Sequence, residues 1–71
     1  MLRSANEVID ELGGTAEAAS LAGVSSSAVS NWRARGRIPQ ENFLIFREAL
    51  AGKGKEANPS VFGFKLSEAR A

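Results

Sequence analysis

Apolar positions along the chain recur at helical spacing, and each stretch breaks off at or near glycine. Val8, Ile9 and Leu12 make a first stripe. Ser4 and Glu7 precede it as a capping box, in which hydroxyl and carboxylate satisfy free amides at a helix start, and Gly13-Gly14 stops the run. Thr15 can cap a second short helix over 16–22, rich in alanine and so able to pack closely. Gly23 breaks it at a position that calls for positive φ. Ser25 caps a third helix over 26–35, with Gly36 as terminator. Ile38-Pro39 opens a fourth, since proline is accepted in a first turn and Glu41 suits the helix dipole. To about residue 51 this helix places Phe43, Ile45, Phe46, Ala49 and Leu50 within one half of its circumference, at about 100° per residue, with Leu44 pointing elsewhere.

The pattern then changes. Residues 52–59 read as a linker by composition. Beyond them Phe62, Phe64 and Leu66 alternate with Gly63, Lys65 and Ser67, the periodicity of a strand. A fifth short helix, capped by Asn58 with Pro59 behind it, is the competing assignment, and Gly63 counts against it. The expected fold is all-α: four to five helices, with residues 1–52 as one domain. Residues 53–71 follow as a linker and an apolar C-terminal segment that forms a short strand or helix. There is no internal repeat.

Composition narrows the chemistry. Seventy-one residues support one modest core, burying about 60% of the unfolded surface. With neither cysteine nor histidine, disulfides, zinc fingers, thiol chemistry and imidazole acid–base work are excluded. No apolar run approaches the roughly 20 residues of a membrane span. Met1-Leu2-Arg3-Ser4 leads into a charged stretch, unlike a secretion signal. A soluble cytoplasmic protein without membrane association is expected. There is no carboxylate pair in an apolar setting, no metal-ligand cluster and no phosphate-binding glycine loop, Gly13-Gly14 being a helix stop. The expectation is therefore not an enzyme, with no cofactor, no metal and no small-molecule ligand.

Net charge is only +1, but it is unevenly spread. Up to residue 17, Glu7, Asp10, Glu11 and Glu17 outnumber Arg3; from 18 to 40 there is no acid, and Arg33, Arg35 and Arg37 stand together. Such a segment suits a polyanion on one face. Within 15–35, two short helices crossing steeply need a small residue at the crossing, which Ala19 supplies, and a free turn, which Gly23 supplies. Val24, Val29 and Trp32 then pin the second of these helices to the core. With Val29 inward, Trp32, Ser25 and Ala28 share its side, whereas Ser26, Ser27, Ser30, Asn31 and Ala34 face out. That outer face is short, polar and nearly uncharged, and small side chains let a helix settle into a major groove about 12 Å wide. Arg33 and Arg35 flank it where the two phosphate backbones would run, and Arg37 is a third phosphate candidate. Asn31 is the best base reader, because an amide pairs in bidentate fashion with adenine.

These residues, and more loosely the chain from 4 to 51, resemble the lambda-repressor/Cro-like helix-turn-helix family. The resemblance implies a compact helix-turn-helix domain and a sequence-specific, double-stranded DNA-binding transcriptional regulator of phage or bacterial type, associated with the nucleoid. It implies base reading by Ser26, Ser27, Ser30 and Asn31. It also implies a phosphate contact at Thr15, where the family often has glutamine. Family members usually act as homodimers on palindromic sites. The candidate dimer residues are Leu44, Phe62, Phe64 and Leu66, for large apolar residues in a tail must be buried against the core or a second chain. The rival function is a protein-interaction module, an antitoxin, adaptor or antirepressor that binds its partner through the apolar tail.

Overall fold

Ser4 starts the first helix, α1 (Ala5–Glu11), by accepting the Glu7 N–H on its hydroxyl at 3.1 Å. The return bond of the expected capping box lands one residue early: the Glu7 carboxylate accepts from the N–H of Arg3 at 2.7 Å. Ala5, Val8 and Ile9 are buried on α1, and Gly13-Gly14 turns the chain into α2 (Thr15–Ala22). Thr15 does not cap α2. Gly14 occupies that position without a side-chain bond, and Thr15 is the first helical residue. Its hydroxyl is instead drawn to a guanidinium on the third helix.

Gly23 closes α2 at φ 73°. There the N–H of Val24 reaches back to the Ala19 carbonyl at 3.0 Å, so the residue at 23 must turn left-handed, which only glycine does without cost. α3 (Ser26–Arg35) follows after Val24 and Ser25. Ala19 is buried, as the crossing of α2 and α3 requires, and Ala18 beside it is fully enclosed. Val24 does not pin α3: its backbone is spent on the α2 cap and its side chain is 39% exposed. Val29 and Trp32 alone hold that face of α3 to the core.

The fourth helix starts later than expected. Ile38 is fully buried, and a 3-10 turn (Gln40–Asn42) behind Pro39 precedes α4 (Phe43–Ala51). The buried arc of α4 is narrower than half a circumference. Phe46 and Leu50 are enclosed, Phe43 and Ala49 form the edges, and Ile45 is 45% exposed. A core this small has room under α4 for two residues one turn apart.

The structure, a computed structural model, describes residues 1–64. After α4 the chain returns along its own N-terminus, where the Leu2 N–H donates to the Glu56 carbonyl and the Asn58 N–H to the Leu2 carbonyl, each at 2.7 Å. The Leu2–Ala57 bridge so formed is isolated, and no strand occurs among the described residues. Residues 53–64 are therefore joined to the same core and do not trail from it as a linker. The strand expected over 62–66 is not formed as far as residue 64. The competing expectation, a short helix capped by Asn58 with Pro59 behind it, is met by a second 3-10 turn (Pro59–Phe62), with the Asn58 side chain accepting from the Ser60 N–H at 2.9 Å. Its Val61 and Phe62 are buried. The ring of Phe62 meets Phe43 and Phe46 edge-on, at centroid distances of 5.2 Å and 6.3 Å. The fold is all-α, and no helix among the described residues is long and apolar enough to cross a membrane.

Candidate nucleic-acid interface

α3 is fixed in rotation by its two buried residues and in length by its two caps. The Ser25 hydroxyl accepts from the Ala28 N–H at 3.2 Å. At the other end the Trp32 carbonyl accepts from the N–H groups of Gly36 and Arg37, at 2.8 Å and 3.2 Å. Trp32 meets Phe46 edge-on at 6.2 Å, so its indole is core and is not presented for stacking on bases. With Val29 and Trp32 held inward, Ser26, Ser27, Ser30, Asn31 and Ala34 are all exposed, while Ala28 is half-buried at the border. Among the described residues no side-chain hydrogen bond engages Ser26, Ser27, Ser30 or Asn31. The face is thus polar, uncharged and open to a ligand.

The two edges of this face differ. On one, Arg33 is turned back onto the protein: its Nη2 donates to Asp10 Oδ1 at 2.9 Å and its Nη1 to Thr15 Oγ1 at 3.4 Å. The Arg33 side chain is 28% exposed against 65% for Asp10. Thr15 and Arg33, both expected to hold phosphate, are thereby brought together, but with Arg33 donating to Thr15 and to Asp10, whose charge offsets that of Arg33. On the other edge Arg35 and Arg37 are exposed, and among the described residues neither is ion-paired. They border an open cleft of about 980 Å³ in which Gln40 and Gly63 also take part.

The residues expected at a dimer surface separate. Leu44 is 62% exposed on α4. Phe64 is exposed, with its ring 5.1 Å from that of Phe43. Phe62 is 1% exposed and is a core residue of this chain, unable to meet a second copy. Leu66 lies outside the described residues. Asp10, Gln40 and Gly63 had no signal in the sequence, because each matters through a contact with a residue far along the chain. No family model, curated protein or solved structure matches the chain.

Proposed function

We propose that the chain is a sequence-specific, double-stranded DNA-binding regulator of the lambda-repressor/Cro-like kind, with α3 as its recognition helix in the major groove. The observation that carries this is the outer face of α3, where Ser26, Ser27, Ser30 and Asn31 are exposed and unengaged. Among the described residues Arg35 and Arg37 have no ion pair at its C-terminal edge. Asn31 reads a base edge, the serines bond bases or phosphates, and the two arginines hold the backbone. Arg33 contributes less than its position along α3 implies, since Asp10 already neutralises it. The chemistry is binding, without catalysis, cofactor or metal, and its place is on the nucleoid.

One recognition helix covers a few base pairs, so a palindromic operator bound by a homodimer completes the reading. Leu44, 62% exposed on α4, is open to a second copy. The same observation favours a second reading, an interaction module for another protein, because Leu44 and Ile45 are adjacent and both exposed on α4. Selection of bound fragments from random duplex DNA separates the two. Enrichment of a two-fold symmetric sequence supports the regulator. Recovery of fragments with no shared sequence, at an affinity that vanishes near physiological salt, would sink it and leave the interaction module.

A further inference from the structure

Phe46 and Leu50, both enclosed in the core, fix the rotation of α4 and leave Leu44 outside. The residues around Leu44 carry opposite charges on opposite sides of it. At about 100° per residue, Arg47 falls about 60° to one side of Leu44 and Glu48 about 40° to the other, with Ala51 about 20° from its line two turns on. Arg47, Glu48 and Ala51 are all exposed. Adjacent residues on a helix do not face each other, so Arg47 and Glu48 cannot neutralise one another within α4. Among the described residues neither is ion-paired, and Glu56, which borders the same groove as Arg47, forms no pair with it. The exposed Glu41, in the turn before α4, falls on the side of Glu48. Further round, Ile45 lies on that side too, whereas Phe43 lies on the side of Arg47 with the ring of Phe64 beside it.

We propose that this face binds a second copy of the chain with the two α4 helices side by side and parallel, Leu44 against Leu44, and Arg47 of each copy paired with Glu48 of the other. The proposal rests on the homodimer reading and gives it a geometry. A two-fold axis parallel to the helices sets each side of one helix against the opposite side of the other, at the same level. Arg47 and Glu48 differ by about 1.5 Å in height, so two equivalent ion pairs flank the leucines. Ala51 is small enough to let the helices approach, and Ile45 is set towards Phe64 of the second copy. A two-fold axis across the helices makes them antiparallel and sets like sides together. Glu48 then meets Glu41 of the other copy, acid on acid, and Arg47 meets Gln40. Exposed ion pairs hold little by themselves. Here they select the direction of pairing, while burial of Leu44 supplies the attraction.

The test is sedimentation equilibrium of the full chain, wild type and charge-reversed, at low salt. Arg47→Glu and Glu48→Arg each set like charges together and raise the dissociation constant of the dimer about tenfold, since two weak pairs are lost and replaced by repulsion. The double variant carrying both reversals recovers the wild-type value. An equimolar mixture of the two single variants recovers it too, because each supplies the charge that the other lacks. A variant weakened by misfolding would not be rescued in either way. Tighter association of Glu48→Arg alone overturns the parallel pair in favour of the antiparallel one, in which the new arginine meets Glu41. Reversals that change nothing, in a dimer that Leu44→Ser still dissociates, overturn the ion pairs and leave the homodimer standing. A dimer indifferent to the reversals and to Leu44→Ser has its contact elsewhere and overturns the surface. A wild-type chain that sediments as a monomer at every concentration, free and on duplex DNA, overturns the homodimer reading as well.

Discussion

A side-chain amide in water is already fully hydrogen-bonded, so it gains little from a phosphate and much from a base edge that matches both its donor and its acceptor. Asn31 is placed for such a match, exposed on α3 with Val29 and Trp32 anchoring the opposite side. Asn31→Ala is expected to cost about 1–3 kcal/mol on a selected site and to relax specificity at one position. Equal losses on selected and scrambled duplexes would remove Asn31 from base reading. Asp10 supplies the opposite case, an acid 2.9 Å from an arginine on the reading helix. Asp10→Asn frees Arg33, so duplex binding tightens and the salt slope steepens by about 0.9. The accompanying loss of stability stays below about 1 kcal/mol, because the pair is partly exposed. Weaker binding that follows a lowered melting temperature would show Arg33 acting as a clip between α1, α2 and α3. The stripe at Val29 and Trp32 was legible in the sequence because one helical turn separates them. The Arg33–Asp10 pair was not, since its members stand twenty-three positions apart and no local period connects them.

At the scale of elements, the caps decide where α2 and α3 begin and end. Ser25 is the only side chain that caps α3 at its start. Ser25→Ala is expected to lower stability by about 1 kcal/mol, read as an earlier thermal transition by circular dichroism. Gly23→Ala tests the turn between the two helices. A methyl group there meets nothing within 4 Å, so the expected cost of about 1–2 kcal/mol is that of a left-handed backbone alone. An unchanged melting temperature in Gly23→Ala would mean that the turn does not depend on this conformation. Both positions could be found in advance because capping and turn preferences depend on a residue and its near neighbours. α4 was less legible. Its period marks an apolar half, but only the shape of the surrounding core decides that Phe46 and Leu50 are enclosed and Ile45 is left out.

Across the whole molecule, the most consequential packing is that of the second 3-10 turn. Phe62 lies against Phe43 and Phe46 and is almost wholly buried. Phe62→Ala is expected to cost about 3–5 kcal/mol, most of the stability of a chain this short. A version ending at Gly52 would lose Val61 and Phe62 together and with them a cooperative thermal transition. If it melts as sharply as the full chain, residues 53–64 are not part of the core. Sedimentation of the full chain and of Leu44→Ser addresses assembly: a dimer that Leu44→Ser dissociates places the contact on the outer face of α4.

The sequence by itself determined the features whose physics is short in range. The Ser4 and Ser25 caps, the glycine stops, the inward pair Val29 and Trp32 and the polar face of α3 all follow from residues within a turn or two of one another. The tertiary structure decided what depends on distant contacts. It gave Arg33 to Asp10 and Thr15 and, among the described residues, left Arg35 and Arg37 without an ion pair. It also chose, at residues 59–62, the turn capped by Asn58 over an extended chain, so that Phe62 fills the core. The physical reason lies in the size of the core. The ring of Phe62 closes over Phe43 and Phe46, and burying it outweighs the weak preference of an alternating pattern for an extended chain as far as residue 64.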